Sequence, residues 1–199
     1  DIGLQAFRIH PAALAGGAFN IDWHADYSYV DRVGKTSFLN AVELPRDPPR
    51  TYFVSQYHAL ETLPKETVEK LRGLRAFHSI AGYGGGVDSE RLQADIERDR
   101  ERGIVRPPIP EAVHSVVVRH PDTGRELLYV GPAITKHIVG LPQEEGDALL
   151  RELYAHSTRP ENVYAHDWEV GDLVIFDTLG TMHKRDAWDP KERRHMRQL

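Results

Sequence analysis

The sequence predicts a β-sandwich or jelly roll decorated by a few helices. Short runs of β-type residues recur along the chain, and clusters of glycine, proline and aspartate separate them. The segments with helical character look like insertions between these strands, and no internal repeat or domain linker is visible. With 199 residues, 40% of them hydrophobic, the chain is long enough for one domain with a sizeable core.

In the N-terminal half, β-type runs alternate with turns and one helix. The prolines between positions 45 and 49 exclude a helix there and require a tight connection. Thr62 is a suitable helix cap, and Pro64 then falls in the first turn, where proline is tolerated. The predicted elements are strands at 4–9, 37–44 and 50–55, a strand-like aromatic run at 20–27, and a helix at 62–74.

The C-terminal half has the same character. The glycine-rich stretch 82–87 is predicted to be a loop that does not bind a nucleotide, because no Lys-Ser/Thr pair follows it. A highly charged helix is expected next, and Leu149, Leu150 and Leu153 then mark a packed amphipathic helix. The predicted elements are helices at 88–102 and 142–156 and strands at 113–119, 126–130, 163–168, 172–177 and 193–199.

Composition excludes several classes of protein. The formal net charge of −5 and the lack of a basic block argue against nucleic-acid or membrane-surface partners. A run of about 18 apolar residues, which a membrane span requires, is absent. The chain has 0 cysteines, which excludes disulfides, thiolate metal sites and cysteine nucleophiles and is compatible with a cytoplasmic location. Because the first residue is Asp1, we expect that an N-terminal segment is missing.

Two His-x-Asp pairs occur in the chain, and their contexts differ. Alternate strand residues face the same side, so His24 and Asp26 in the aromatic run can converge on one point. An imidazole and a carboxylate are two of the three ligands of a facial non-haem iron site. With 11 histidines in the chain, roughly one such pair is expected by chance. The second pair, His120 and Asp122, lies in turn sequence and is predicted to be a turn aspartate beside an exposed histidine.

A facial site needs a third ligand from a distant part of the chain. His183 comes just past the apolar strand predicted at 172–177, where sites in sandwiches usually open. His195 stands among arginines, which repel a metal cation, and His166 is predicted on a half-exposed strand face. His183 is therefore the preferred candidate among His156, His166, His183 and His195.

Two consecutive arginines, Arg193 and Arg194, lie in the last predicted strand. Arginine forms bidentate pairs with carboxylates. Since neighbouring strand residues face opposite sides, one of the two is expected to point inward. One inward arginine suits the anchoring of a dicarboxylate.

Several short motifs follow one another along most of the chain. They are Trp23-His24-Ala25-Asp26, His120-Pro121 with Thr123-Gly124-Arg125, Leu128-Tyr129-Val130, Ile138-Val139-Gly140-Leu141, Trp168 with the run from Gly171 to Asp177, Thr181-Met182-His183, and the run from Arg193 to Arg197. Taken together, they resemble the taurine and 2,4-dichlorophenoxyacetate dioxygenase family of iron(II)/2-oxoglutarate oxygenases. The resemblance extends from Trp23 to Leu199.

The resemblance implies a mainly β double-stranded β-helix, or jelly roll, forming a single oxygenase domain over residues 1–199. It implies Fe(II), 2-oxoglutarate as co-substrate, and dioxygen. His24, Asp26 and His183 would be the catalytic iron ligands. Arg194, eleven residues after His183, would bind the distal carboxylate of 2-oxoglutarate, and Thr51, 25 residues after Asp26, would share it.

The implied activity is C–H oxidation of a small organic substrate, with hydroxylation as the expected outcome. Asn20, Tyr27 and Ile134 fall where the taurine enzyme lines its substrate pocket. Gln198 falls where that enzyme has an arginine that grips a sulfonate, so a sulfonate substrate is disfavoured. A homo-oligomer is left open.

Two other functions remain to be separated from this one. The first is a jelly-roll metalloenzyme of another class, such as a cupin-like isomerase or hydrolase with the same ligands. The second is a non-catalytic binding sandwich whose histidines are structural. Arg194 and Thr51 at family spacing speak against the first.

Overall fold

A computed structural model describes residues 20–81, 97–104 and 109–198. The predictions for residues 4–9 and 82–87 and for most of the helix 88–102 lie outside these ranges; residues 97–101 are helical. The named elements are β1 (Ile21–His24), β2 (Thr36–Glu43), β3 (Thr51–Ser55), α1 (Gln56–Glu61), α2 (Lys65–Arg72), β4 (Arg75–Ser79), β5 (Glu111–Ser115), β6 (Val117–Arg119), β7 (Glu126–Leu128), β8 (Thr135–Ile138), α3 (Gln143–Ser157), a 3₁₀ turn (Pro160–Asn162), β9 (Tyr164–His166), β10 (Leu173–Asp177), β11 (Thr181–Arg185) and β12 (His195–Gln198).

Two antiparallel sheets form the sandwich that positions the site. The first has the strand order β1-β11-β3-β9, and the second has the order β10-β2-β12. Their inner faces meet through aromatic rings, because Phe176 of the second sheet lies 5.4 Å from Phe53 and 5.0 Å from His183 of the first, measured between ring centroids. Strands adjacent in a sheet are distant in sequence, so the site combines both ends of the chain.

A third sheet, in the order β5-β4-β8, packs with the helices at one side of the sandwich. The helices contribute their apolar stripes to this core, as the sequence pattern predicts. Its buried hydrophobic residues are Ala59, Leu60, Leu63, Leu71, Ala76, Val116, Leu128, Val130, Ile138, Leu150 and Leu153. The remaining strands, β6 and β7, form a two-stranded ribbon.

The strand predictions are largely confirmed, with differences at particular points. The predicted strand 113–119 is two strands, β5 and β6, separated at the fully buried Val116. The short elements β4, β8, β11 and α1 were not predicted. They are only four to six residues long, so they contain too few periods for the hydrophobic pattern to be recognised.

The predicted helix 62–74 is wrong at its start. Thr62 ends α1, and its hydroxyl donates to the carbonyl of His58 at 2.8 Å. The helix α2 begins at Lys65 after Pro64, without a side-chain cap. Ser55 caps the unpredicted α1, since its hydroxyl accepts from the backbone N–H of His58. A threonine that bonds back to a preceding carbonyl is a common ending, and it resembles an N-cap in sequence.

A buried histidine in the third sheet makes stability depend on pH. Burial, aided by the charge of His114, lowers the pKa of His78 from 6.5 to about 3. The unfolded chain therefore binds more protons between these pH values, and stability is lost as the pH falls below about 6.5. At pH 5 this group is expected to cost about 2 kcal/mol relative to pH 7. Urea unfolding at both pH values should show a smaller loss for His78→Asn than for wild type; an equal loss would contradict the assignment.

Candidate metal centre

Two histidines from opposite ends of the chain meet as a cross-strand pair. His24, the last residue of β1, lies directly opposite His183 of β11 in the antiparallel register. Directly opposed side chains share one face of the sheet, and the two imidazole centroids are 4.1 Å apart. Both side chains are buried. His183 follows the end of β10, as expected, and it lies within a further strand, β11, which was not predicted.

Asp26 reaches the same point from a turn and not from the strand. Strand β1 ends at His24, and Asp26 is the first residue of the turn that follows. The next residue, Tyr27, has a φ of 61°, which is uncommon for a non-glycine residue. The premise that His24 and Asp26 share one strand face is therefore wrong. The chain turns at once, and the turn returns the carboxylate toward the two imidazoles.

The three side chains have the geometry of a divalent-metal site. Their ligand atoms all lie within 4.8 Å of one another. The Asp26 carboxylate is 3.6 Å from Nε2 of His24 and 4.0 Å from Nε2 of His183. A metal ion with bonds of about 2.0–2.2 Å needs donor atoms about 3–4 Å apart. Two imidazoles and one carboxylate are the donor set of non-haem iron(II) sites, so these residues fit that ion.

The protonation of both histidines suits metal binding. Burial is the main cause that lowers the pKa of His24. For His183, burial and, to a smaller extent, the charge of His24 lower the pKa well below 6.5. Both rings are thus neutral, as a ligand must be. His24 Nδ1 lies 2.7 Å from the carbonyl oxygen of Asp22 and donates to it. That bond leaves the lone pair of Nε2 directed at the centre.

The Asp26 carboxylate has two neighbours from the second sheet. Its Oδ2 accepts from the Gln198 amide at 2.8 Å and from the Ser37 hydroxyl at 3.4 Å. Burial raises the pKa of Asp26, while His24 and these two donors oppose the shift. A cation at the centre would favour the ionised form. Gln198 was predicted to line the substrate pocket, and in the structure its amide holds the carboxylate.

Because Gln198 orients a candidate metal ligand, its loss should weaken metal binding. Replacing Gln198 with leucine is expected to lower the affinity for Mn(II) by about tenfold, since outer partners of metal ligands typically contribute 10- to 100-fold. Calorimetric titration of the metal would measure this. The matched control is Arg197→Leu, which changes the exposed neighbouring residue on the opposite face of β12. Unchanged affinity in Gln198→Leu would contradict a positioning role.

Thr51 and Arg194 are connected through Arg185, which lies opposite Thr51 and whose charge acts on Arg194. Thr51 is buried opposite Arg185 of β11, and its hydroxyl accepts from the Trp168 indole N–H at 2.9 Å. Arg194 lies near the ring of Trp188, at 5.4 Å from the centroid. Its Nε is buried without a hydrogen-bond partner among the described residues. By contrast, Arg193 is exposed and pairs with Glu43, so one arginine of the pair points inward, as expected.

The other candidate histidines have separate structural roles. His156 is buried and lies 3.0 Å from both the Thr62 hydroxyl and the Ala59 carbonyl. His166 pairs with Asp172 at 3.0 Å, and His195 is exposed. The prediction of an exposed His120 is wrong. Its ring is buried, and its Nδ1 accepts the backbone N–H groups of the turn at 122 and 123.

The predicted substrate residues occupy different environments. Asn20 is exposed, and its side-chain oxygen accepts the backbone N–H of Ala187 at 2.8 Å. Tyr27 is partly buried in the turn beside Asp26 and has its ring 6.3 Å from that of Tyr29. Ile134 is fully buried. A role for these residues in substrate binding stays a prediction.

Sequence reasoning missed several residues that support the site. Ser37 and the carbonyl of Asp22 orient the candidate ligands, and Arg185 and Trp188 surround Arg194. The alternation of β11 would have revealed Arg185, because it is two residues from His183 and shares its face. Ser37 gives no such signal, since its position depends on packing between the two sheets.

Comparison with known proteins agrees with this architecture. The family model described as taurine catabolism dioxygenase TauD, TfdA family, matches residues 5–199. A pentalenolactone F synthase of Streptomyces avermitilis is 39% identical over 188 residues, covering 92% of this chain and 61% of that protein. An alpha-ketoglutarate-dependent 2,4-dichlorophenoxyacetate dioxygenase of a Burkholderia species is 33% identical, covering 92% of this chain and 59% of that protein. The chain thus spans about three fifths of these relatives.

Solved structures give the same result for the fold. A crystal structure of AAD-2 in complex with Mn(II) and N-oxalylglycine has a TM-score of 0.72 and 27% identity, covering 94% of this chain and 68% of that chain. A taurine dioxygenase from Burkholderia xenovorans has a TM-score of 0.65 and 25% identity, covering 90% and 66%. The predicted mainly β jelly roll is confirmed. The chain belongs to the TauD/TfdA family of dioxygenases.

Proposed function

We propose that this chain is the catalytic part of an iron(II)- and 2-oxoglutarate-dependent dioxygenase that oxidises a C–H bond of a small organic molecule, with hydroxylation as the outcome. The observation that carries the proposal is the triad formed by His24 and His183, which are buried on one face of the first sheet, and the partly buried Asp26 in the turn beside them. Family membership supports it. When bound, iron(II) couples the oxidative decarboxylation of 2-oxoglutarate by dioxygen to substrate oxidation.

The residues of the triad would hold the metal on one side only. With only three protein ligands, the centre would leave room for the co-substrate and dioxygen. Phe53 and Phe176 flank the His183 ring at 5.9 and 5.0 Å between centroids. These rings keep water away from one side of the centre and fix the imidazole. The protein thereby orients the reactants and limits side reactions.

Thr51 and Arg194 would bind the distal carboxylate of 2-oxoglutarate. The guanidinium of Arg194 is half-buried and offers planar donors to a carboxylate. Thr51 already accepts from Trp168, so its own hydroxyl proton is available for donation. The strand rise puts this end about 7 Å from His183, two residues along β11. A short dicarboxylate spans such a distance.

A small organic molecule is the substrate class that we propose. The relatives named above are a synthase of pentalenolactone F and a dioxygenase of 2,4-dichlorophenoxyacetate. Their names support a small organic substrate, but they do not determine its carbon skeleton. The neutral Gln198, bonded to Asp26, offers no charge to a sulfonate. No helix in the described ranges is long and apolar enough to cross a membrane, and the cytoplasmic location stays a prediction.

Dependence of dioxygen uptake on 2-oxoglutarate tests the proposal. The protein with Fe(II) and ascorbate should consume dioxygen and release succinate only when 2-oxoglutarate is present. A panel of small organic acids should then include compounds that accelerate both dioxygen uptake and succinate release. Dioxygen uptake at the same rate with and without 2-oxoglutarate would favour a jelly-roll metalloenzyme of another class. Absence of both metal binding and uptake would favour a non-catalytic binding sandwich.

A further inference from the structure

A tryptophan that follows β9 reaches the hydroxyl of Thr51. Trp168 is only 5% exposed, and its indole N–H donates to Oγ1 of Thr51 at 2.9 Å. Thr51 lies in β3 two residues before Phe53, so the two side chains share one face of the strand. Phe53 is directly opposite His183 of β11, and the two rings are 5.9 Å apart between centroids. The bond from Trp168 therefore ends on the sheet face that carries the candidate metal centre.

This bond fixes the direction in which the Thr51 hydroxyl donates. Threonine is branched at Cβ, which restricts χ1 and therefore the position of Oγ1. Because the oxygen accepts the indole N–H, its single hydrogen must be directed at a different group. No other hydrogen bond of this hydroxyl occurs among the described residues. Thr51 is buried, so it presents an oriented donor to an acceptor that the described residues do not supply.

The turn that follows β9 holds the indole in this orientation. The ring of His166 makes a T-shaped contact with the ring of Trp168, with 4.5 Å between the centroids. Nε2 of His166 lies 3.0 Å from Oδ2 of Asp172, and the same carboxylate oxygen accepts the backbone N–H of Glu169 at 2.9 Å. These contacts fix the chain on either side of Trp168, so its N–H has a defined direction toward Thr51.

We propose that Trp168 is a positioning residue of the 2-oxoglutarate site, whose indole N–H keeps the Thr51 hydroxyl directed at the distal carboxylate of the co-substrate. This inference rests on the proposed function and deepens it. A carboxylate accepts the directed hydroxyl proton, whereas a terminal methyl group does not. Trp168, acting through Thr51, thereby contributes to the selection of a dicarboxylate over a 2-oxo acid that ends in a methyl group.

Binding of two 2-oxo acids to the Mn(II)-loaded chain tests this role without turnover. 2-Oxoglutarate carries the distal carboxylate, and 2-oxopentanoate has the same carbon chain without it. In calorimetric titrations, Trp168→Phe should weaken 2-oxoglutarate binding by about fivefold, as expected for the loss of one neutral hydrogen bond. Binding of 2-oxopentanoate should be unchanged. The control Tyr164→Phe removes the hydroxyl of an exposed ring in β9, and it should leave both affinities unchanged.

A double-mutant cycle shows whether Trp168 acts through the hydroxyl of Thr51. Thr51→Val removes the hydroxyl and keeps the shape of the side chain. It should weaken 2-oxoglutarate binding by about tenfold, since a hydrogen bond to a charged group contributes more than a neutral one. In the Thr51→Val background, Trp168→Phe should cause no further loss. A further loss equal to that in the wild-type background would show that Trp168 acts independently of Thr51, and the proposal would be overturned.

Each other outcome also decides against a specific claim. Unchanged 2-oxoglutarate affinity in Trp168→Phe overturns the role of Trp168, and so does an equal weakening of both ligands, which indicates a structural effect. Failure of the wild-type protein to bind 2-oxoglutarate overturns the proposed function itself, whereas the results for the variants concern Trp168 alone.

A measurement on the wild-type protein replaces the variants if Trp168→Phe fails to fold by circular dichroism. The chain has 3 tryptophans, so the indole N–H proton resonance of Trp168 can be assigned in the diamagnetic Zn(II)-loaded protein by elimination with Trp23→Phe and Trp188→Phe. Donation from Thr51 to a carboxylate makes its oxygen a stronger acceptor. 2-Oxoglutarate should therefore move the Trp168 resonance downfield, and 2-oxopentanoate should not. The same resonance position with both ligands would overturn the proposal.

Discussion

Replacing His183 with alanine is expected to abolish metal binding and turnover. The substitution removes one of three ligands and leaves His24 and Asp26, whose carboxylate lies 3.6 Å from the remaining imidazole. Loss of a direct ligand should cost more than the roughly 100-fold upper range seen for outer partners. Titration with Mn(II) should therefore show at least about a 100-fold weaker affinity, and 2-oxoglutarate-dependent succinate release should disappear.

His195→Ala is the matched control for this substitution. His195 was a candidate on sequence grounds, but it is exposed on β12. Its removal should leave metal affinity and succinate release as in wild type. His183 also packs against Phe53 and Phe176, so its loss could affect folding. Circular dichroism should therefore be used to check that His183→Ala is folded. A folded His183→Ala protein that keeps activity would remove His183 from the ligand set.

Replacing Arg194 with methionine is expected to raise the 2-oxoglutarate requirement by about 100-fold. Truncating one partner of a desolvated charge pair typically costs about 2–5 kcal/mol, and a factor of 100 corresponds to about 2.7 kcal/mol. Methionine keeps much of the aliphatic volume beside Trp188, so the loss reports on the charge. The concentration of 2-oxoglutarate that gives half-maximal succinate release measures the effect.

Arg193→Met supplies the control for Arg194. Arg193 is the adjacent residue, with a side chain 83% exposed and paired to Glu43. Such exposed pairs contribute little to stability. The 2-oxoglutarate requirement of Arg193→Met should therefore match that of wild type. The same requirement in Arg194→Met would exclude Arg194 from co-substrate binding. A rise in both variants would indicate that the general positive charge of the segment before β12 is responsible.

The positions of these strands along the chain could be predicted from the sequence, because the hydrophobic pattern of a strand is local. Strands β2, β3 and β10 begin and end within a residue or so of their predicted limits. The pairing of β1 with β11 was not accessible, since it joins residues about 160 positions apart. Local sequence context favoured His183 as the third ligand, and the resemblance to a family supported that choice, but neither predicted that His24 and His183 lie opposite each other on paired strands.

Details of the site depended on turns and packing. The sequence motif suggested that His24 and Asp26 share a strand face, whereas the left-handed Tyr27 allows a turn that delivers Asp26 instead. Left-handed conformation at a tyrosine is rare, so residue type gives no warning of it. Gln198 was assigned to substrate, and its contact with Asp26 depends on how the second sheet, in which β12 pairs with β2, packs against the first.

We expect one centre, formed by His24, Asp26 and His183, to bind iron(II) and 2-oxoglutarate together. An anaerobic titration of the chain with Fe(II) and then 2-oxoglutarate tests it directly, because a 2-oxo acid chelated to ferrous iron absorbs visible light. We expect a visible charge-transfer band that requires both components and is absent from His183→Ala. If the wild-type protein binds each component but develops no band, the two do not share a centre, and the proposed dioxygenase function is contradicted.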